Sequence, residues 1–437
     1  MTTPSPTFFT ALAPDERVHG SRDPLGLLPI WTRLGRRLIG NVTTVSGDLR
    51  GWTSLLVMVG LFRDRVDAGL IDIADTAALL RAEQMIAYSR VLNGQTAEVR
   101  GLNQVKNHLQ HHDQGRVPIP LGEDRDRRIL TSQRAAGVWG QISAAATASL
   151  LLDRARIGLM PASQSLWTGT LGPRLAPFHA RITDIVRDKR GFEPGRSDES
   201  LARALAEVHA SRLATAEVAL YRDHVLYGGR HITGTQAELV DLWRAQTGDV
   251  SVRAAVDIPR TALLAQRARA SGLADVAAGL DDIVASERLL APMARLFSWV
   301  QSRNRQPLGD VVGELEEAWT EPIASAAAGT DELLGPVARE VYPGTEVPKA
   351  LGAVREALVA GDWHRAVLGV VDLNGMTMRR RGGAPWVQVV GDRLDVRLGD
   401  EQASLPTLDA LHRDLVHSYY LDPLRRLVVA WEDGQRA

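Results

Sequence analysis

A mainly α fold, in two helical regions with a small C-terminal α+β element, is what this chain predicts. Three observations carry the prediction. Apolar residues recur at helical spacing through most of the 437 residues. Strand-like alternation is confined to a short stretch near the C-terminus. No sequence repeat or low-complexity tract points to a solenoid or a fibrous chain.

The elements follow in order. Residues 1–20, rich in Pro and Thr, are expected to be a flexible N-terminus. Ser21 to Pro29 reads as a turn-rich lead-in. Leu49, Trp52, Leu56, Val59 and Leu61 give residues 44–67 a wide apolar helical face. Asp75 has the right side chain to cap a helix through residue 92. Helices are also predicted over about 98–112 and 125–159, the latter closed by Pro161, and the whole forms an N-terminal helical domain, 21–186. Residues 187–200 carry charge, Gly and Pro without apolar period and predict a linker. Ser197 or Ser200 then caps a helix through residue 224. The second helical region, 201–360, continues with helices over 235–247, 251–271, 274–303, 308–328 and 347–360, Pro259 kinking or breaking the second of these. The C-terminal element, 361–437, contains one β-hairpin: 386–390 and 393–398 flank Gly391-Asp392, with alternation at Leu394, Val396 and Leu398. A helix over 405–419 and a short tail complete it.

Composition excludes much chemistry. Of 51 basic residues only Lys106, Lys189 and Lys349 are lysine, and there is no cysteine. No lysine precedes Ser or Thr behind a glycine, so there is no phosphate-binding loop. None stands two residues after an acid, as the commonest restriction-type nuclease site requires, and there is no His-x-Lys pair. Thiolate nucleophiles, redox dithiols and cysteine-bound zinc are excluded. The net charge of −1 gives no global field that would steer the chain to nucleic acid, which leaves only local basic patches. The longest apolar stretch, 51–62, is too short to span a bilayer, and residues 1–18 lack the features of a signal peptide; a cytoplasmic protein with no membrane contact is expected.

Residues 103–114 are the densest polar run. His108, His111 and His112 fall at helical spacings on one face, and with Asp113 they form a candidate divalent-metal set: His108, His112 and Asp113 as ligands. The same run also reads as a solvated helix end with histidines beside the C-terminal dipole. Basic clusters occur at Arg33, Arg36 and Arg37 beside Trp31, at Arg125, Arg127, Arg128 and Arg134, and at Arg379, Arg380 and Arg381. The last leads through Gly-Gly to Trp386 and is the candidate phosphate or nucleic-acid site, guanidinium forks to phosphates and Trp386 to a base. The alternative is a helix terminus that Gly382 stops. The polar aromatic run 417–423 and the pairs Asp184/Asp188 and Asp281/Asp282 fit ordinary helix ends and surfaces. There is no Gly-x-Ser-x-Gly, Gly-x-Gly-x-x-Gly or His-Glu-x-x-His, hence no catalytic residue and no cofactor is assigned.

The runs Ser21-Arg-Asp-Pro-Leu-Gly26, Ile39-Gly-Asn-Val-Thr-Thr44 and Arg50-Gly-Trp52 resemble the opening of uncharacterised proteins from bacterial defence and mobile islands, and the Arg-Gly-Gly-Ala-Pro-Trp and Ser-Tyr-Tyr-Leu-Asp runs are similar in flavour. The resemblance covers about a fifth of the chain and implies a multi-gene anti-phage or DNA-handling setting without nominating an active site. The expectation is a non-enzymatic adaptor or regulatory subunit that contacts a partner protein, with nucleic acid as a further partner. The alternative is a helical metal-dependent phosphohydrolase or nuclease using residues 108–113.

Overall fold

The computed structural model describes residues 23–229, 234–327 and 330–437; the N-terminal 1–20 expectation lies outside them. The fold is mainly α, with two small two-stranded antiparallel sheets among the described residues. Its contacts divide it into two units. One unites the chain up to Arg37 with Val256–Tyr419; the other unites Leu38–Ala255 with Tyr420–Ala437. This division differs from the domain limits read from sequence.

Along the chain, α1 (Leu28–Leu38) begins the first unit. The second unit then forms from α2 (Leu49–Asp67), α3 (Thr76–Leu92), α4 (Leu102–His111), α5 (Gln133–Ala136) and α6 (Val138–Ala148). It continues through the hairpin β1 (Leu152–Asp153) and β2 (Gly158–Leu159), then α7 (Pro161–Leu166), α8 (Gly172–Leu175) and α9 (His179–Val186). Its last elements before the crossing are α10 (Glu199–Val208), α11 (Thr215–Leu220) and α12 (Thr235–Ala245). The first unit resumes with α13 (Ile258–Ala270), α14 (Ala274–Val300), α15 (Leu308–Ala318), α16 (Thr330–Val341), α17 (Val347–Ala360) and α18 (Trp363–Arg380). The hairpin β3 (Val387–Val390) and β4 (Arg393–Val396) and α19 (Leu408–Arg413) follow, and α20 (Leu421–Arg436) belongs to the second unit.

In the second unit α2 is the central helix. It is buried without interruption from Gly51 to Phe62, the pattern of a helix covered on all sides. It starts at Leu49 because Asp48 Oδ1 accepts the Arg50 amide at 2.9 Å. Gly60 lets the Trp167 ring lie against the helix: a β-carbon there would stand 2.4 Å from the ring. Trp167 Nε1 in turn donates to Asp64 Oδ1 at 3.1 Å. Asp75 caps α3 as expected, accepting the Ala78 amide.

The predicted 125–159 helix is instead a loop, two helices and a hairpin. The chain stops being helical at Gly137, whose ψ is −175°, and turns through Leu150 and Ile157 at positive φ. The predicted linker 187–200 is tied into the second unit. Phe192 is fully buried and exchanges backbone bonds with Ile119, and Asp198 takes a two-pronged pair from Arg181 at 2.5 and 2.7 Å. Asp198, rather than a serine, precedes α10.

In the first unit α14 packs against α13, α16 and α18. Pro259 does not kink a helix; it occupies the first turn of α13, where a missing N–H costs nothing, behind the Asp257 cap. The predicted 308–328 helix ends at Ala318, and Trp319 Nε1 donates to the Pro406 carbonyl at 3.0 Å. The C-terminal hairpin has the expected turn: Val390 pairs with Arg393 around Gly391, whose φ is +65°. The backbone of 305–308 bonds to the outer edge of β4, at Leu394 and Asp392. The 405–419 helix shortens to α19, and the predicted tail is a sixteen-residue helix, α20.

Candidate functional site

Residues 379–381 end α18, as a Gly382-stopped helix should, and two of their cations, those of Arg380 and Arg381, are committed within the first unit. Arg381 donates to the Asp23 carbonyl at 2.5 Å and to Asp23 Oδ2 at 2.9 Å. The guanidinium of Arg380 lies over the Tyr342 ring, 4.2 Å from its centroid. Trp386 is buried, and its backbone N–H donates to Asn374 Oδ1 at 2.8 Å, while Asn374 Nδ2 donates to the Pro24 carbonyl. A buried indole presents no face for a base, so the structure does not assemble the stacking platform that the sequence suggests. The cluster secures the 23–27 turn against α18. In the other basic groups Arg33 pairs with Glu340 at 2.6 Å, Arg37 with Asp282 at 2.5 Å and Arg127 with Asp188 at 3.1 Å, each inside its unit.

The histidine run forms α4 and the turn after it. His108 lies against α3, where Nδ1 meets the buried Tyr88 hydroxyl at 2.6 Å and Nε2 meets Gln104 at 2.8 Å. Both ring nitrogens are thus occupied by protein groups. Burial, then the neighbouring His112 and His111, push its pKa down. His111 Nδ1 is bonded to the Asn107 carbonyl in its own helix. Asp113 sits at φ +49° in the following turn, 4.0 Å from Arg116. Among the described residues no three His, Cys, Asp or Glu side chains are grouped to hold a metal ion. His108, His112 and Asp113 are therefore not brought into one coordination sphere.

Two features escape sequence reasoning. The first is a groove of about 540 Å³ in the first unit, between α16 and α17 with Leu289 of α14 at its base. Leu334, Ala338, Tyr342 and Leu351 give it an apolar floor, while Arg339, Lys349 and Arg355 stand on its walls. Arg339 makes no ion pair among the described residues, and exposed Lys349 is only 3.9 Å from Glu346. A β-carbon on Gly352, in the groove wall, would meet no atom within 4 Å.

The second feature is a group of buried charges in the second unit, beside α2. Glu83 is 3% exposed; its Oε1 accepts the Val138 amide at 2.9 Å. Burial pushes its carboxyl up to about 7, against the opposing effects of the Val138 bond and the nearby Gln133 amide. Asp48 is pushed up to about 6 by burial, with Arg90 pulling the other way. These acids are 35 positions apart in sequence and form no recognisable motif.

Comparison of the chain with protein-family models, with curated proteins and with solved structures gives no match. No helix among the described residues is long and apolar enough to cross a membrane.

Proposed function

We propose that this chain is a non-enzymatic adaptor or regulatory subunit, acting in the cytoplasm, and that the α16–α17 groove receives a segment of a partner protein. The groove is the observation that carries the reading. Its size is within the range of preformed binding sites, and its apolar floor with a few polar groups has their composition. A groove between two helices with apolar residues along it suits an amphipathic helix. Arg339, Lys349 and Arg355 outnumber Glu346 on its walls and favour an acidic one, since among the described residues no carboxylate pairs with Arg339. A bacterial multi-gene anti-phage or DNA-handling setting is carried by the resemblance of residues 21–26, 39–44 and 50–52 alone. Nucleic acid is a weaker partner on this reading, because Arg380, Arg381 and Trp386 are engaged inside the fold.

The test compares the wild-type chain with Gly352→Trp and with the double reversal Arg339→Glu, Lys349→Glu, each purified from the native host at moderate salt. A stoichiometric protein that both variants lose, while a surface change such as Arg203→Ala keeps it, supports the reading. A partner retained by both groove variants overturns the groove. Co-purifying nucleic acid that Arg379→Ala releases would replace the protein reading with a nucleic-acid one.

A further inference from the structure

The buried acids of the second unit do more than sit in a core. A cavity of about 20 Å³ lies between α2, α3, the start of α6 and the 98–100 loop. Its walls include Ser54, Glu83, Arg90, Glu98 and Arg100. Ser54 Oγ already donates to the Arg50 carbonyl at 2.9 Å, and Arg90 Nη2 to the Ala97 carbonyl at 2.8 Å. Two atoms on these walls have no such partner. Glu83 Oε2 and Arg90 Nε are both buried and neither makes a hydrogen bond to another protein group.

An orphaned carboxylate oxygen this deep costs about 1–3 kcal/mol if it stays unbonded. A cavity needs about 10–15 Å³ of probe-filled space and two to four polar partners to hold a water molecule. This one has the space for a water molecule, and Glu83 Oε2 and Arg90 Nε are the polar atoms of its lining residues left to bond it. Groups of both signs line it, Glu83 and Glu98 with Arg90 and Arg100, so neither a cation nor an anion is selected. Towards the outside the same loop carries Glu98, paired with Arg426 at 3.6 Å, and Arg100, which donates to the Val45 carbonyl at 3.1 Å. Asp48 is the remaining acid of this neighbourhood, coupled to Arg90, Glu98 and Arg100.

We propose that this cavity is a binding site for one ordered water molecule, bonded to Glu83 Oε2 with Ser54 and Arg90 on its walls, and that Glu83 exchanges its proton with solvent through it. In the exchange the carboxyl O–H bond breaks, the proton passes to the water, and a proton leaves from that water past Glu98 and Arg100 to bulk solvent. The reverse step returns it. Glu83 is then a working proton-binding site and not a sealed core acid, which the burial of its side chain alone would make it.

The experiment is a crystal structure of the intact wild-type chain at a resolution that shows solvent. It is paired with the infrared band of the protonated carboxyl, assigned by its disappearance in Glu83→Gln, after a rapid pH jump. The expected result is a solvent peak within hydrogen-bonding distance of Glu83 Oε2 and a band that follows the jump. Ala87→Val, which fills the cavity, is expected to lose the peak and slow the band. A dry cavity, a peak that proves to be a metal ion, or a band indifferent to Ala87→Val with the peak gone would each overturn the proposal. Since the wild-type structure alone can refute it, the outcome does not depend on the valine variant folding.

Discussion

Glu287 shows how a single residue can set the pH response of the first unit. It lies wholly buried on α14, where the amides of Val416 and His417 donate to Oε1 and the Tyr419 hydroxyl donates to Oε2 at 2.6 Å. His417 stacks on Trp31 at 5.1 Å beside it, its own pKa pushed down to about 4 by burial. Burial drives the Glu287 carboxyl up from 4.5 to about 7, over the pull of the Tyr419, Val416 and His417 bonds. The folded state therefore holds this proton where the unfolded chain has released it. The stability so gained is complete below about pH 4.5 and is lost as the pH rises through about 7. A shift of this size corresponds to a loss of about 3 kcal/mol. His417, lowered by burial, works in the opposite direction in both proteins, so urea unfolding at about pH 5 and pH 8 should show Glu287→Gln losing clearly less stability towards the higher pH than the wild type does. Equal declines in the two proteins would remove Glu287 from the account. The arginines make the second residue-level prediction. Arg381→Ala leaves the Asp23 carboxylate buried without its cation and should cost about 1–3 kcal/mol. Exposed Arg379 has no such partner, and Arg379→Ala should change stability by less than about 0.5 kcal/mol. Thermal unfolding of the two variants separates them.

Among the elements, those whose ends carry their own chemistry were legible in sequence. Asp75 before α3 and Gly391-Asp392 between β3 and β4 act through bonds or dihedrals within a few residues, and both are where the pattern puts them. Elements whose limits depend on distant packing were not. The Ala-rich text after Arg134 looks continuous, yet the approach of Glu83 to Gly137 replaces the helix there: a β-carbon at 137 would lie 2.6 Å from that carboxylate. Asp422-Pro423 resembles a stop but supplies the first turn of α20, where proline is tolerated. The candidate site failed for the same reason. Asp23 is 358 residues from Arg381, so nothing local announces that the guanidinium is spoken for. The groove walls read as ordinary amphipathic helices. Within α2, Gly60→Ala should drive its methyl into Trp167 and cost about 1–3 kcal/mol, visible as a lowered urea midpoint. For α4, His108→Ala strips the Tyr88 hydroxyl of its partner and should cost a similar amount, about 1–3 kcal/mol, with or without chelator in the buffer. Stabilisation of the wild type by added zinc or manganese, absent from the variant, would contradict the pairing described for His108.

Over the whole molecule, the fold class follows from apolar spacing that is summed along the chain and tolerates many local errors, whereas unit limits follow from which segments finally meet. The first unit is discontinuous: α1 and the 23–27 turn are completed by α14, α16 and α18. Tyr342 donates its hydroxyl to the Gly26 carbonyl, and Asn374 and Arg381 hold Pro24 and Asp23. On the ribosome this has a consequence in time. The partner of Asp23 emerges 358 residues later, roughly 20–70 s at ordinary rates of synthesis. Until α14, α16 and α18 have all emerged, Leu25, Leu27, Ile30 and Leu34, all buried in the finished unit, lack part of the structure that completes it. The intervening 38–255 segment can collapse on itself first, while residues 25–34 stay a sticky apolar stretch. A chain of this design should depend on a holding chaperone during synthesis and gain yield from slower translation, and refolding from urea should show its slow phase in the first unit.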